Sequence, residues 1–250
     1  MQKSFLILMK SVCLLREGKK AVLLPFQTFS DIFRYKLLAK EPGWWFDTDV
    51  FCLKSADDFD SLGEKSNGIT VGYQSNSVIN GAVIYIKQCS IAISLYEKAR
   101  AKGLDIKWGD IGPTLITEYI EENKKHASIL EKDIFYPIPF NWVERSNLIF
   151  DPSNAQSCIE KTKDAYCIHL WNEAINRKRI PKELYPPIGS YLHSLFTTVG
   201  ESVTPSASIS IDTINNLDAF FSIRKSEHKI INFYRNARKI PSILKAALKN

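Results

Sequence analysis

Asp47 and Asp49 are separated by a single residue, Thr48, and follow the apolar run Trp44-Trp45-Phe46. At the end of an extended strand, residues two apart point to the same side. Both carboxylates then face one point, with Thr48 turned away. Two such acids repel each other, and each loses water if the place is enclosed. A divalent cation relieves both problems. Hard ions such as Mg²⁺ and Mn²⁺ favour carboxylate oxygens and keep positions open for substrate phosphates.

The elements around the pair supply further groups. Phe29, Ile32, Phe33 and Leu37 have the spacing of one helical face. Thr28 is placed to cap that helix, with Asp31 as the acidic half of a capping box, and Pro42-Gly43 stops it. Trp44-Trp45-Phe46 is too short for another helix and reads as a covered strand. A helix leading back into a strand of the same layer puts the helix start and the strand end at one edge, where open α/β sheets bind ligands. Asp31 and Arg34, three apart, share a helix face, and Ser30 lies one turn before Arg34. A cation, an arginine, a hydroxyl and a third carboxylate are therefore expected in one cleft.

The whole segment SDIFRYKLLAKEPGWWFDTDV reads as Ser-Asp-x-x-Arg-Tyr-x-x-Leu, a glycine-containing turn, an aromatic strand and Asp-x-Asp. It resembles sugar-nucleotide-dependent glycosyltransferases of the GT-A type. The closest subset is the family with the glycosyltransferase sugar-binding D-x-D region, which includes capsular-polysaccharide and α-1,4-linking enzymes. Pro42-Gly43 stands where that family usually has Gly-Gly. The resemblance extends to Trp108-Gly109-Asp110-Ile111-Gly112-Pro113, similar to a loop that enters the family's cleft, and to His169-Leu170-Trp171, similar to the strand that closes its catalytic domain.

The resemblance implies an α/β fold of GT-A-like (Rossmann-like) architecture, a mixed sheet flanked by helices, over residues 1–200, with a helical basic C-terminal tail over 201–250. It implies Mn²⁺ or Mg²⁺ on Asp47 and Asp49, with His169 as a third ligand or a phosphate contact. Ser30, Asp31, Arg34, Tyr35, Asp47, Asn80 and Trp171 become candidates for binding substrate, and Asp110 and Asn80 for acting at the reacting sugar. The implied partners are a nucleoside diphosphate sugar donor and a glycan or glycolipid acceptor, with retention at the anomeric carbon. The family usually has a longer nucleotide-binding region before the Ser-Asp helix than the 28 residues that precede Phe29 here, so the chain reads either as a shortened variant or as a fragment with a misplaced start. A non-catalytic sugar-nucleotide or glycan-binding relative is the alternative. A phosphohydrolase or nuclease would need further metal-binding carboxylates or histidines in clear motifs, and few are present.

The 250 residues, 45% hydrophobic and 24% charged, suffice for one large α/β domain. The five cysteines, Cys13, Cys52, Cys89, Cys158 and Cys167, form no C-x-x-C pair and read as reduced thiols in a cytosolic setting. From Arg224 onward eight basic residues stand against Glu227, so the tail carries +7 of a net +6 and the body is nearly neutral. Basic residues do not interleave with the body's aromatic ones, which argues against nucleic acid as partner. No apolar run approaches the roughly 20 residues that span a membrane. Lys10 interrupts the apolar start and no small-residue cleavage site follows, so a core helix over 5–16 and a strand over 21–24 are expected rather than a signal peptide. The tail's apolar stripe (Ile230, Phe233, Tyr234, Ala237) among basic residues suits peripheral contact with the inner face of an anionic membrane, in a cytoplasmic protein.

Elsewhere, residues 54–68 read as a solvated loop, and 69–87 as two short strands, the second following an Asn80-Gly81 turn. A helix is expected over 90–103 with Gly103 as its stop, and another from about Thr114 to Asn123 with Pro113 entering it. Residues 133–150 read as extended strand and loop, with Phe140 and Trp142 as core or a sugar-stacking wall, and 151–164 as a polar connector. His169 and Trp171, two apart in a strand, are expected to be cofacial. A short helix is expected near Ser190–Phe196, and helical structure from Thr213 on.

Overall fold

The computed structural model describes residues 15–17, 20–22, 26–103, 106–107, 109–198 and 207–221. They fall into two compact units. The first takes the residues within 1–141 together with 159–170, and the second those within 142–158 and from 171 onward.

In the first unit, Leu15–Glu17 (β1) and Lys20–Val22 (β2) pair as an antiparallel hairpin. Leu15 and Arg16 are therefore strand, not the end of a helix. The rest of 5–16, and residues 23 and 24, lie outside the described residues. The apolar spacing at 29–37 does form a helix, α1, but it runs Phe26–Leu38. Thr28 consequently sits inside it, buried, and does not cap it. The helix stops before Pro42, and Gly43 turns the chain with φ of 149°, a conformation that only glycine adopts without strain.

Gly43–Phe46 (β3) is the edge of a four-stranded sheet ordered β3-β6-β5-β7, with Ile69–Tyr73 as β5, Ile79–Ile86 as β6 and Ala127–Leu130 as β7. Its central pairs are antiparallel and β5–β7 is parallel. This mixed sheet flanked by helices is compatible with a Rossmann-like GT-A fold. Strand alternation sorts the aromatic run. Trp45 packs toward a core of Ile32, Phe33, Tyr35 and Leu38 from α1, Ile84 and Ile86 from β6, and residues of helices Cys89–Ala101 (α3) and Pro113–Glu122 (α4). Trp44 and Phe46 point the other way, into an aromatic cluster with Phe59, Tyr85, Phe135 and Tyr166.

Several expectations are corrected. The polar run 54–68 contains a helix, Ala56–Glu64 (α2), which Ser55 and Asp58 cap reciprocally, Ser55 N–H donating to Asp58 at 3.0 Å. Phe59, buried, supplies its apolar side. Asn80-Gly81 is not the hairpin turn. It lies inside β6, and the turn is at 74–78, closed by Gln74 N–H on Val78 O at 2.9 Å. β7 had no forecast, and the short helix Lys132–Phe135 (α5) stands where extended chain was expected from 133 on.

The second unit holds helix Trp142–Phe150 (α6), where extended chain was expected, and most of a 3-10 turn and helix over 152–162 (Ala155–Thr162, α7), where a connector was expected. Phe140, in the first unit, is 52% exposed and so is not core, whereas the Trp142 ring carries Arg145 and Lys178 over it at 5.3 and 5.4 Å. Asn172–Arg177 (α8), Tyr191–Thr198 (α9) and a helix over 211–221 follow. The basic tail from Arg224 lies outside the described residues. No helix among the described residues is long and apolar enough to cross a membrane.

Candidate active site

The face that α1 turns toward β3 carries Asp31 and Arg34. Arg34 Nη1 donates to Asp31 Oδ1 at 3.0 Å, and Nη2 donates to Asp47 Oδ1 at 2.8 Å. The same Asp47 oxygen accepts from Trp45 Nε1 at 2.7 Å, and the guanidinium lies over the Trp45 ring at 5.3 Å. One oxygen of Asp47 is thus fixed by two donors, and the other is left for a further partner. Arg34 is only 3% exposed. Burial works against its charge, but Asp47 and Asp31 outweigh that and hold the guanidinium charged, with its pKa raised. Burial pushes the Asp31 carboxyl up to about 6, against the pull of Arg34 and with the repulsion of Asp47.

Two glycines make room for this group. A Cβ on Gly81 would stand 2.5 Å from Arg34 Nη1 and from Ile116 Cδ1, and one on Gly112 would stand 2.8 Å from Asp31 Oδ2. Gly112 also precedes the first turn of α4, so the Asp31 carboxylate lies at a helix N-terminus, whose dipole favours negative charge.

The acids do not end an extended strand as the spacing suggested. Residues 47–50 form a turn, Val50 N–H donating to Asp47 O at 3.0 Å, and Thr48 is exposed. The turn joins two different ladders. On one side Asp47 N–H donates to Ala82 O of β6 at 2.8 Å. On the other, Val50–Cys52 (β4) pairs antiparallel with Cys167–His169 (β8), Val50 opposite His169. Leu170 N–H donates to Asp49 O at 2.9 Å and locks that register. His169 Nε2 then lies 3.1 Å from Asp49 Oδ1.

Ligand atoms of Asp47, Asp49 and His169 all lie within 4.8 Å of one another. Neighbouring donors around an octahedral ion with bonds of roughly 2.1 Å stand about 3 Å apart, close to the His169–Asp49 separation. Two carboxylates and an imidazole suit Mn²⁺, and the carboxylates suit Mg²⁺. The residues present fit such an ion.

Residues 104–193 match the family described as the alpha 1,4-glycosyltransferase conserved region. The match spans just over a third of the chain, so it marks a similarity to that family over this region. The matched span includes Asp110, Gly112, Pro113, His169 and Trp171, and Asp31, Arg34, Asp47 and Asp49 lie upstream of it. Comparison with curated proteins and with solved structures gave no match.

The remaining candidates are placed as follows. Ser30 is half-buried in α1, one turn before Arg34. Tyr35 is fully enclosed and its hydroxyl donates to Ile111 O at 2.8 Å, so it acts on the site through the turn that precedes α4. Asn80 is buried. Its Oδ1 accepts from Ala82 N–H at 2.7 Å and its Nδ2 donates to Gln74 Oε1 at 2.6 Å, at the place where the β5–β6 register shifts. Asp110 is half-buried and its carboxylate accepts from Lys107 N–H at 2.8 Å, while Trp108 lies outside the described residues. Trp171 has φ of 55° and opens α8 in the second unit, so it is not the strand residue that the two-residue spacing from His169 suggested. Trp45 had no assigned role at the site, Gly81 was read as a turn residue, and Gly112 as part of the loop that the resemblance implies at the cleft. Trp45 precedes Asp47 by two in a strand, a spacing that could have pointed to the contact; the glycines gave no such signal.

Proposed function

We propose that the protein is a metal-dependent glycosyltransferase that moves a sugar from a nucleoside diphosphate sugar to a hydroxyl of a glycan or glycolipid. The observation that carries this reading is the convergence of Asp47, Asp49 and His169 next to the Asp31–Arg34–Asp47 ion pairs. Asp47, Asp49 and His169 would hold Mn²⁺ or Mg²⁺, which when bound offsets the charge developing on a departing diphosphate. Arg34 fixes Asp31 and Asp47 and keeps a permanent positive charge where a diphosphate is favoured. Asp31, in its ionised form, accepts from sugar hydroxyls. Asn80 offers its second amide hydrogen to a hydroxyl-rich ligand. Asp110, one residue before the Ile111 carbonyl that Tyr35 holds, meets the acceptor or the oxocarbenium-like sugar.

The family match supports a sugar donor and a glycan acceptor; retention at the anomeric carbon and a product in surface polysaccharide complete the reading. Nucleic acid is not a partner in this reading, and the basic tail makes a peripheral contact with the inner face of the membrane.

The deciding experiment is a thermal-shift panel of UDP-, GDP- and dTDP-sugars with and without Mn²⁺, followed by sugar-nucleotide hydrolysis by the same samples. One donor is expected to raise the melting temperature only with the cation and to be hydrolysed slowly. A donor that binds equally well without any divalent ion would refute the metal assignment, and binding with no turnover would favour a non-catalytic relative.

A further inference from the structure

Cys52 and Cys167 are register partners on the β4–β8 ladder. The hydrogen bonds on that ladder fix which kind of pair they form. Leu53 N–H donates to Tyr166 O and Leu170 N–H to Asp49 O, both at 2.9 Å. The bonded rungs are therefore 49 with 170 and 53 with 166, and by alternation 51 with 168. Cys52–Cys167 and Val50–His169 are the non-hydrogen-bonded rungs between them. At such a rung the Cα atoms are about 4.5 Å apart and the side chains lean together on one face. A disulfide needs Cα atoms roughly 4.4–6.8 Å apart. The two thiols are free, Cys52 exposed and Cys167 buried.

We propose that Cys52 and Cys167 form a reversible cross-strand disulfide that clamps β4 to β8 one same-face rung from His169. The oxidant is a small disulfide such as glutathione disulfide. The Cys52 thiolate, which solvent reaches, attacks one sulfur of the oxidant, and one glutathione thiolate leaves. The Cys167 thiolate then attacks Cys52 Sγ in the mixed disulfide, and the second glutathione leaves. Two protein thiols lose two protons and two electrons, and the oxidant is reduced to two glutathione thiols. Cys167 is enclosed against Phe135 O, 3.8 Å from its sulfur, so the partner it meets is its neighbour across the ladder, not a bulky reagent. The ladder is only three residues long on each strand, and it is what brings His169 to Asp49. A covalent link closing a loop of more than a hundred residues restricts the unfolded chain strongly, so the oxidised form is the more stable one. The proposal stands independently of the cation and the donor.

The test is peptide mapping of the full chain after incubation with glutathione disulfide at equilibrium, with remaining thiols alkylated before a non-reducing digest. The expected product is a linked pair of peptides containing Cys52 and Cys167, two hydrogens lighter than their sum. It is accompanied by a rise of several degrees in melting temperature that dithiothreitol reverses. Cys89→Ser should keep both signals and Cys52→Ser should lose both. Recovery of Cys52 only as a glutathione adduct with Cys167 alkylated, or of Cys52 linked to Cys13 or Cys89, overturns the proposal. So does a linked pair with no change in melting temperature, since the clamp would then hold nothing.

Discussion

His169 stands 120 positions after Asp49 in the chain and 3.1 Å from it in the fold. Three residues of β4 and three of β8 create that proximity, because their register sets Val50 opposite His169 and turns both Asp49 and the imidazole to one place. The Asp47–Val50 turn then adds the second carboxylate.

Asp49→Asn keeps the size of the side chain and removes its charge. We expect the fold to survive with a melting temperature close to that of the parent. The cation should no longer stabilise the protein. In the parent, an ion at a hundred times its Kd adds about 2.7 kcal/mol, and this increment should vanish. Cation-dependent transfer should fall by at least about a hundredfold, as expected from loss of several kcal/mol of charge stabilisation. Calorimetric titration with Mn²⁺ checks the first and product formation the second. Unchanged turnover in this variant removes Asp49 from the metal.

Arg34→Gln leaves two partly buried carboxylates facing each other. Removing one partner of a buried ion pair costs about 3–5 kcal/mol, and urea unfolding should read a loss in that range. Arg34→Lys should recover little, because an ammonium cannot place two nitrogens on Asp31 and Asp47 while stacking on Trp45. A lysine variant as stable as the parent would show that the paired geometry is not needed.

Trp45→Phe retains most of the ring and deletes the Nε1–H bond to Asp47 at 2.7 Å. We expect a stability loss of about 1–2 kcal/mol, near the range for a bond to a charged group. The stronger effect should be on Mn²⁺ affinity, since one of the two donors fixing Asp47 is gone. Equal affinity in the two proteins would mean that Arg34 alone aims the carboxylate.

Gly81→Ala would put a methyl group 2.5 Å from both Arg34 Nη1 and Ile116 Cδ1. Overpacking of this kind costs about 1–3 kcal/mol. Chemical denaturation should show it, and donor binding should weaken with it because Arg34 must shift. A variant that melts like the parent would indicate that the guanidinium moves aside freely.

Asp31 makes stability depend on pH in a defined direction. Its carboxyl is raised from 3.8 to about 6 in the folded chain, chiefly by burial. The folded state therefore holds more protons than the unfolded one between those values, and stability falls as pH rises through them. The contribution is full below about 4 and lost above about 6, with a size on the order of 3 kcal/mol. Urea unfolding of the parent against Asp31→Asn, at pH 4 and at pH 7, isolates it. The variant should gain on the parent as pH rises, and a pH-independent difference would refute the raised carboxyl.

The local patterns were legible in the sequence and the pairings were not. The α1 face, the stop at Pro42-Gly43 and the helices opened by Pro113 and closed by Gly103 follow from spacing and turn chemistry within a few residues. The turn at Asp47–Val50 was hidden because a D-x-D after an apolar run looks the same in a strand and in a turn that changes ladder. Charge misled at 54–68, where Ser55 and Asp58 make a capping box around one apolar anchor, Phe59. Asn80-Gly81 misled because glycine in β6 answers to the Arg34 side chain, not to a hairpin. The family resemblance suggested His169 as a ligand. That it meets Asp49 in particular depends on the β4–β8 register, which no local pattern encodes.

The Asp47–Val50 turn also bears on how this chain tolerates change in length. Its two flanks are sewn to separate ladders, by Asp47 to β6 and by Val50 to β8. One residue added or deleted there would slip a register on one side and swing an acid away from its neighbour. The 74–78 hairpin loop, anchored at both ends to strands of a single sheet, has no such obligation and is the place where insertions can accumulate during divergence.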